Sequence, residues 1–290
     1  MRSSRNSSRS RRLPADGMLH SSEDISNLRG KIWRYYREYG RSFPWRDTDD
    51  PYRIFVSELM LQQTQTERVL KKYGPFVETF GSFAELAAAP LTSVLQMWSG
   101  LGYNRRALGL KESATIIHTD YRDQVPSETA DLLRLPMVGP ATAGSLQAFV
   151  HNIPSVFIET NIRRVIIHFF FREREEVRDR EVMEYTAALL DAENPRHWYY
   201  ALMDYGVYLK YAVPNPNRKS AHYQRQAPFE NSNRQIRGAL LSLLLRNGQM
   251  STRQIREELT RFEPNRIEKC LRHLEDEGFL AAEGESYRIK

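Results

Sequence analysis

Through most of the chain apolar residues recur at three- and four-residue spacing, with turn-forming residues between the runs. That spacing predicts helices over 27–39, 51–63, 66–80, 82–88, 91–97, 103–119, 128–133, 139–149, 159–170, 178–190 and 195–209. Nothing in 26–212 alternates with the period of two that a half-buried strand needs, so an all-α core is expected there. A proline and asparagine cluster over 213–218 and a polar stretch over 220–233 then read as a linker, 213–233. Residues 234–290 are expected to form a second, smaller unit. It begins with an amphipathic helix over 234–246, followed by a short helix opened by a capping box of Ser251 and Gln254. A third helix over 264–277 is stopped by Gly278, and 279–282 pairs with 286–290 as a hairpin. This is the order of a winged helix-turn-helix. Its third helix carries Arg266, Lys269 and Arg272 on what reads as an outward face, which fits DNA contact or protein docking, since Glu268, Glu275, Asp276 and Glu277 dilute the charge.

Composition narrows the class. With 290 residues, 41% hydrophobic and 27% charged, the chain is that of a soluble globular protein with room for a sizeable core. The longest apolar stretches, within 165–171 and 239–245, fall far short of the roughly 20 residues of a spanning helix. No membrane association is expected, and without an apolar leader a cytoplasmic location follows, nucleoid-associated if the source is bacterial. One cysteine, Cys270, can neither close an intramolecular disulfide nor supply the four thiolates of a zinc or iron–sulfur site, so no metal and no cofactor are expected. Of the net charge of +6, five arginines fall in residues 1–12, so the basic balance is mostly that of a tail. Residues 1–25 have too little apolar surface to fold alone and are expected to be disordered, as a solubilising leader or a weak attractor of phosphates.

The segment 135–144, LPMVGPATAG, reads as a tight turn between two helices, the second starting at Pro140. Gly139 permits close backbone approach, and free amides at such a helix start attract phosphate. Taken alone it fits a plain helical hairpin as well as a DNA-binding one. Three further motifs stand in order with it: FPWRDTDDPYRIFVSELMLQQTQTERV over 43–69, MWSGLGYNRRA over 97–107 and FIETNIRRV over 157–165. Together they resemble the helix-hairpin-helix DNA glycosylases, and within them the MutY-type adenine glycosylases, over roughly 32–206.

That resemblance implies a fold of two helical subdomains, here followed by the winged-helix-like unit, and duplex DNA with a mismatch or lesion as the partner of a monomer. Breaking a purine N-glycosidic bond needs a proton on the departing base and a negative charge beside an oxocarbenium-like sugar. By resemblance Glu58 is the general acid, which should sit in an apolar pocket near Val56, Leu59 and Met60 that raises its pKa. Glu159 stands where the family usually carries aspartate; it reads as the electrostatic stabiliser or as a helix N-cap, with Asn161 following it in the motif. Gln63 and the loop of Leu101, Gly102 and Tyr103 would fill the gap left by an extruded nucleotide. Trp45, Arg46, Gln62 and Thr64 would shape the base pocket, while Trp33 and Trp98 read as core. The amides of Val138, Gly139 and Ala141 would anchor phosphate.

Four departures from the family pattern matter. Glu159 is one methylene longer than aspartate. Ala141 stands where bifunctional relatives place a nucleophilic lysine, which implies a monofunctional enzyme without lyase activity. Met137 replaces a glycine that sits at positive φ in the hairpin, so strain is expected. Four spaced cysteines that commonly follow the 204–206 region are missing, as in a clusterless branch. The implied function is removal of adenine opposite 8-oxoguanine or guanine in base-excision repair. Alternatives are a glycosylase of the same fold acting on another base, as in T:G, U:G or hypoxanthine pairs, and a non-enzymatic DNA-binding protein.

Overall fold

The computed structural model describes residues 21–224 and 228–290. In chain order the helices are α1 (Ser22–Tyr39), α2 (Pro51–Leu61), α3 (Thr66–Thr79), α4 (Phe83–Ala88), α5 (Leu91–Trp98), α6 (Arg105–Tyr121), α7 (Thr129–Leu132) and α8 (Pro140–His151). They continue as α9 (Thr160–Phe170), α10 (Asp179–Leu189), α11 (Pro195–Ala212), a 3-10 turn at Pro216–Lys219, α12 (Asn233–Asn247), α13 (Thr252–Glu258) and α14 (Pro264–Asp276). Strands β1 (Met250–Ser251), β2 (Leu280–Glu283) and β3 (Ser286–Ile289) form an antiparallel sheet in the order β1-β3-β2.

The chain divides into two compact units, and each is built from two separated stretches. One combines the residues up to Arg41 with Ile153–Gln224, and the other combines Ser42–Asn152 with the C-terminal part. Among the described residues no helix is long and apolar enough to cross a membrane.

In the first unit α1 begins five residues earlier than its apolar spacing predicts. Ser21 caps it, accepting from the Asp24 amide at 3.1 Å while Asp24 accepts back from the Ser21 amide, so the order begins inside the segment expected to be a disordered tail. The rest of that tail, residues 1–20, lies outside the described residues. Leu28 and Ile32 of α1 are buried, and the guanidinium of Arg41, just past its end, pairs with the buried Asp204 of α11 at 2.6 Å. α9 and α11 cross so closely that a Cβ on Gly206 would lie 2.4 Å from the carbonyl oxygen of Asn161, which demands glycine.

The stretch read as linker is partly folded into this unit. Asn217, buried in the 3-10 turn, donates to the Thr160 carbonyl at 3.0 Å, and Val177 and Ser220 form a parallel bridge. The prolines that break the helical pattern here shape a turn rather than a free connector.

In the second unit a continuous core runs from Trp45 through Phe55, Leu59, Trp98 and Leu110 to Ile236, Leu240, Leu271 and Phe279. The C-terminal helices therefore complete this core and are not a separately linked domain. Glu277, at the end of α14, receives hydrogen bonds from Arg105 of α6 and Arg237 of α12. Burial pushes its carboxyl up, but the two guanidinium partners outweigh that and hold it at about 2. Arg266, expected to face outward, is spent on Asn231 and Asn233, and Arg256 pairs with Glu268. Met250 pairing with Tyr287 adds a third strand to the expected hairpin.

Candidate active site

α2 is opened by Asp50, whose carboxylate accepts from the Tyr52 amide at 2.9 Å, with Pro51 at the first helical position. Seven of its side chains are buried, and Glu58 is half-buried among them. Val56, Leu59 and Met60 point into the core. The contact that characterises Glu58 is instead polar. Ser145 of α8, itself buried, places its hydroxyl 2.5 Å from Glu58 Oε2 and 3.0 Å from the Thr142 carbonyl. Its single proton can serve one acceptor at a time, so the hydroxyl can follow a change in the state of the carboxyl.

The loop after α2 and the loop before α6 are joined by one residue. Arg106, 2% exposed, donates to the carbonyls of Leu59, Met60, Gln62 and Gly102 and to the Thr64 hydroxyl, at 2.5–3.1 Å. Its guanidinium also lies over the rings of Trp98 and Tyr103 at 5.3 and 5.6 Å. Burial lowers its pKa to about 10, which still leaves it charged at neutral pH.

On the two loops so joined, Gln63 and Tyr103 both adopt left-handed backbone, φ 52° and 48°, and both are exposed. Non-glycine residues held in that region cost of order 1 kcal/mol or more, and such strain clusters at ligand-binding positions. Leu101, by contrast, is buried in the core at 3% exposure, so it supports the loop and is no wedge. Trp45 is buried too, stacked on Phe43 and edge-on to Tyr73, while Arg46 lies over Phe43. Thr64 is held by Arg106.

The hairpin over 135–142 is tied to the same loop. Gln62 gives its amide protons to the Met137 carbonyl at 3.0 Å and the Thr142 hydroxyl at 3.1 Å, which commits it to bracing the turn. Met137 takes φ 63°, the left-handed backbone that glycine adopts without cost. Its side chain fills the space over Gly109 of α6, where a Cβ would lie 2.4 Å from Met137 Cγ. Gly139 and Ala141 are exposed at the start of α8, and no side chain caps this helix. The amide of Val138 does not join them; it donates to the Leu135 carbonyl within the turn. The amide of Thr142 also lies in the uncapped first turn of α8.

In the other unit Glu159 is the N-cap of α9. Its Oε1 accepts from the amides of Asn161 and Ile162 at 2.6 and 2.8 Å, and its Oε2 from the Asn161 side chain at 3.1 Å. Asn161 Oδ1 in turn accepts from Arg164, which also donates to the Gly206 carbonyl. Burial pushes the Glu159 carboxyl up, against the pull of the helix amides and of Arg164 and Arg163.

Residues 56–190 match the profile of the family described as HhH-GPD superfamily base excision DNA repair protein. The match spans a little under half of the chain. The chain's sequence is 36% identical over 140 residues to a protein of Buchnera aphidicola named adenine DNA glycosylase, a match that covers 48% of this chain and 40% of that one. The chain thus spans well under half the length of that relative. A protein of the same name from Mycolicibacterium smegmatis is 29% identical over 285 residues, covering 89% of this chain and 97% of the other. In fold the chain is similar to a solved thermostable thymine-DNA glycosylase, with a TM-score of 0.58 and 24% identity over 67% of this chain and 91% of that one.

The iron–sulfur cluster that the resemblance raises does not fit the residues of this chain. Asn217 and the prolines occupy the turn after α11, and Cys270 lies buried in α14 of the other unit. One thiolate cannot replace four. Sequence reasoning missed Ser145, Arg106 and Asn217. Of these only Arg106 stood within a quoted motif, and an arginine in an amphipathic helix reads as solvent-facing.

Proposed function

We propose that the protein is a monofunctional DNA N-glycosylase that removes adenine mispaired with 8-oxoguanine or guanine. The observation that carries it is the pairing of Glu58 with Ser145 beside a hairpin whose exposed first turn bears Ala141. In this reading Glu58 delivers a proton to the departing base, and Ser145 turns its hydroxyl toward Thr142 while the carboxyl is protonated and back once it is ionised. Glu159, the second carboxylate, steadies positive charge on the sugar. Gln63 and Tyr103 enter the stack when the nucleotide leaves it. Ala141 offers no amine to attack the sugar, so no Schiff base forms and the product is an abasic site. No cofactor takes part in this scheme, and the protein acts as a monomer on duplex DNA inside the cell.

The test uses labelled duplexes bearing A:8-oxoguanine, A:G, T:G, U:G and hypoxanthine pairs, each split into samples with and without hot alkali. Alkali-dependent breaks at adenine, absent in Glu58→Gln, are expected. Breaks confined to another base would keep the glycosylase and replace its substrate, an outcome for which the longer Glu159 leaves room. Breaks without alkali, with a covalent adduct trapped by borohydride, would overturn the monofunctional reading. Tight binding with no breaks would make it a DNA-binding protein.

A further inference from the structure

The turn that leads into α12 lies against the Tyr103 loop within the second unit. Arg234, in the first turn of α12, reaches the Tyr103 hydroxyl at 3.4 Å and the Pro228 carbonyl at 3.4 Å. Its guanidinium lies 6.0 Å from the ring of Phe229, which is 59% exposed. Arg105 follows the same loop with its side chain 65% exposed, and Glu277 is shared between Arg105 and Arg237. Two exposed aromatic rings are thus bracketed by arginines, with Glu277 matched and Glu230 as the acid in the turn itself. Meanwhile α14 sets Arg266, Lys269 and Arg272 against Glu268, Glu275 and Asp276, which leaves it no net positive charge for phosphate, and Arg266 is already hydrogen-bonded to Asn231 and Asn233.

We propose that the C-terminal part of the second unit makes a further DNA contact, acting through the 228–234 turn and not through α14. Arg234 takes a backbone phosphate beside the Tyr103 loop, and Phe229 packs on the adjoining sugar or an unstacked base. Both contacts continue the surface that Tyr103 begins. The inference rests on the reading of the protein as a DNA glycosylase.

The test measures binding of the full chain to an undamaged duplex and to an A:8-oxoguanine duplex by fluorescence anisotropy, across a series of salt concentrations. Arg234→Glu is expected to weaken binding on the order of tenfold at low salt and to lower the slope of log affinity against log salt by about 1. Arg234→Lys keeps the slope. Phe229→Ala weakens binding with the slope unchanged, and Glu230→Gln tightens it. Arg180→Glu, an exposed charge reversal in the other unit, is the control for net charge, and melting curves verify that each variant is folded. An unchanged slope in folded Arg234→Glu, or an equal loss in Arg180→Glu, overturns the site. Adenine release assayed in parallel separates the two readings. A moved slope without adenine release keeps the site and sinks the glycosylase, whereas normal release with an unmoved slope does the reverse.

Discussion

Two carboxylates of this chain are held in opposite ways. Glu159 is fixed by the backbone: two α9 amides and the Asn161 side chain converge on it, and Arg164 and Gly206 hold Asn161 in turn. Glu58 is met by a hydroxyl that has a second acceptor within reach. Amides at a helix start cannot rotate away, so they suit a charge that must stay in place. A hydroxyl can reverse, so it suits a group that gains and loses a proton. The difference extends outward. Around Glu58 the loops are positioned by a buried arginine and strained backbone, and around Glu159 by helix geometry.

The largest effect expected is at Glu58, the proposed proton donor. Glu58→Gln should lower single-turnover adenine release about a thousandfold while leaving duplex binding intact. A residual rate near wild type would end the division of roles. Next comes the arginine that joins the loops: Arg106→Ala strands four carbonyls and a hydroxyl, and should cost on the order of 3 kcal/mol in urea unfolding, with Arg106→Lys recovering only part. If Arg106→Ala kept full stability, the loops beside Glu58 would have to be held by other contacts.

Glu159→Gln should reduce the rate on the order of 100-fold by removing the fixed charge. Because burial raises the Glu159 carboxyl, its ionised form is lost as pH falls through a value above the ordinary range. The acid limb of the wild-type rate profile should lie there and disappear in Glu159→Gln. An acid limb unmoved by that change would make Glu159 a cap alone.

Smaller and more local is the Met137 and Gly109 pair. Gly109→Ala alone should destabilise, and Met137→Gly should remove both the left-handed strain and the clash. A double-mutant cycle in urea should give a coupling of about 1 kcal/mol. The smallest effect is that of Ser145→Ala, a few-fold loss in the single-turnover rate, since the carboxyl loses the hydroxyl that lies 2.5 Å from it. An unchanged rate would erase the contrast between the two carboxylates.

Much of this was legible in the sequence. The helices of the core followed from spacing, and the strain at Met137 from the glycine that the resemblance puts at that hairpin position. What stayed hidden depends on tertiary contact. Arg106 is buried because carbonyls from two loops gather round it, which no local pattern encodes. Trp45 and Leu101 stand in motifs that resemble DNA-contacting ones yet face the core, because resemblance in a motif does not separate touching from supporting. Val138 lost its expected amide to a turn bond within its own hairpin. Asn217 sits among prolines and asparagines that read as a linker, since a 3-10 turn leaves no helical period behind.

The bond between Arg41 and Asp204 spans 163 residues of chain. During synthesis at about 5–20 residues per second, α1 therefore leaves the ribosome some 8–30 seconds before the helix it packs on exists. For that interval Trp33 has no Trp198 ring to pack against, while residues 42–152 can already begin to fold. A nascent-chain chaperone would find its longest opportunity on the first helix of the described chain.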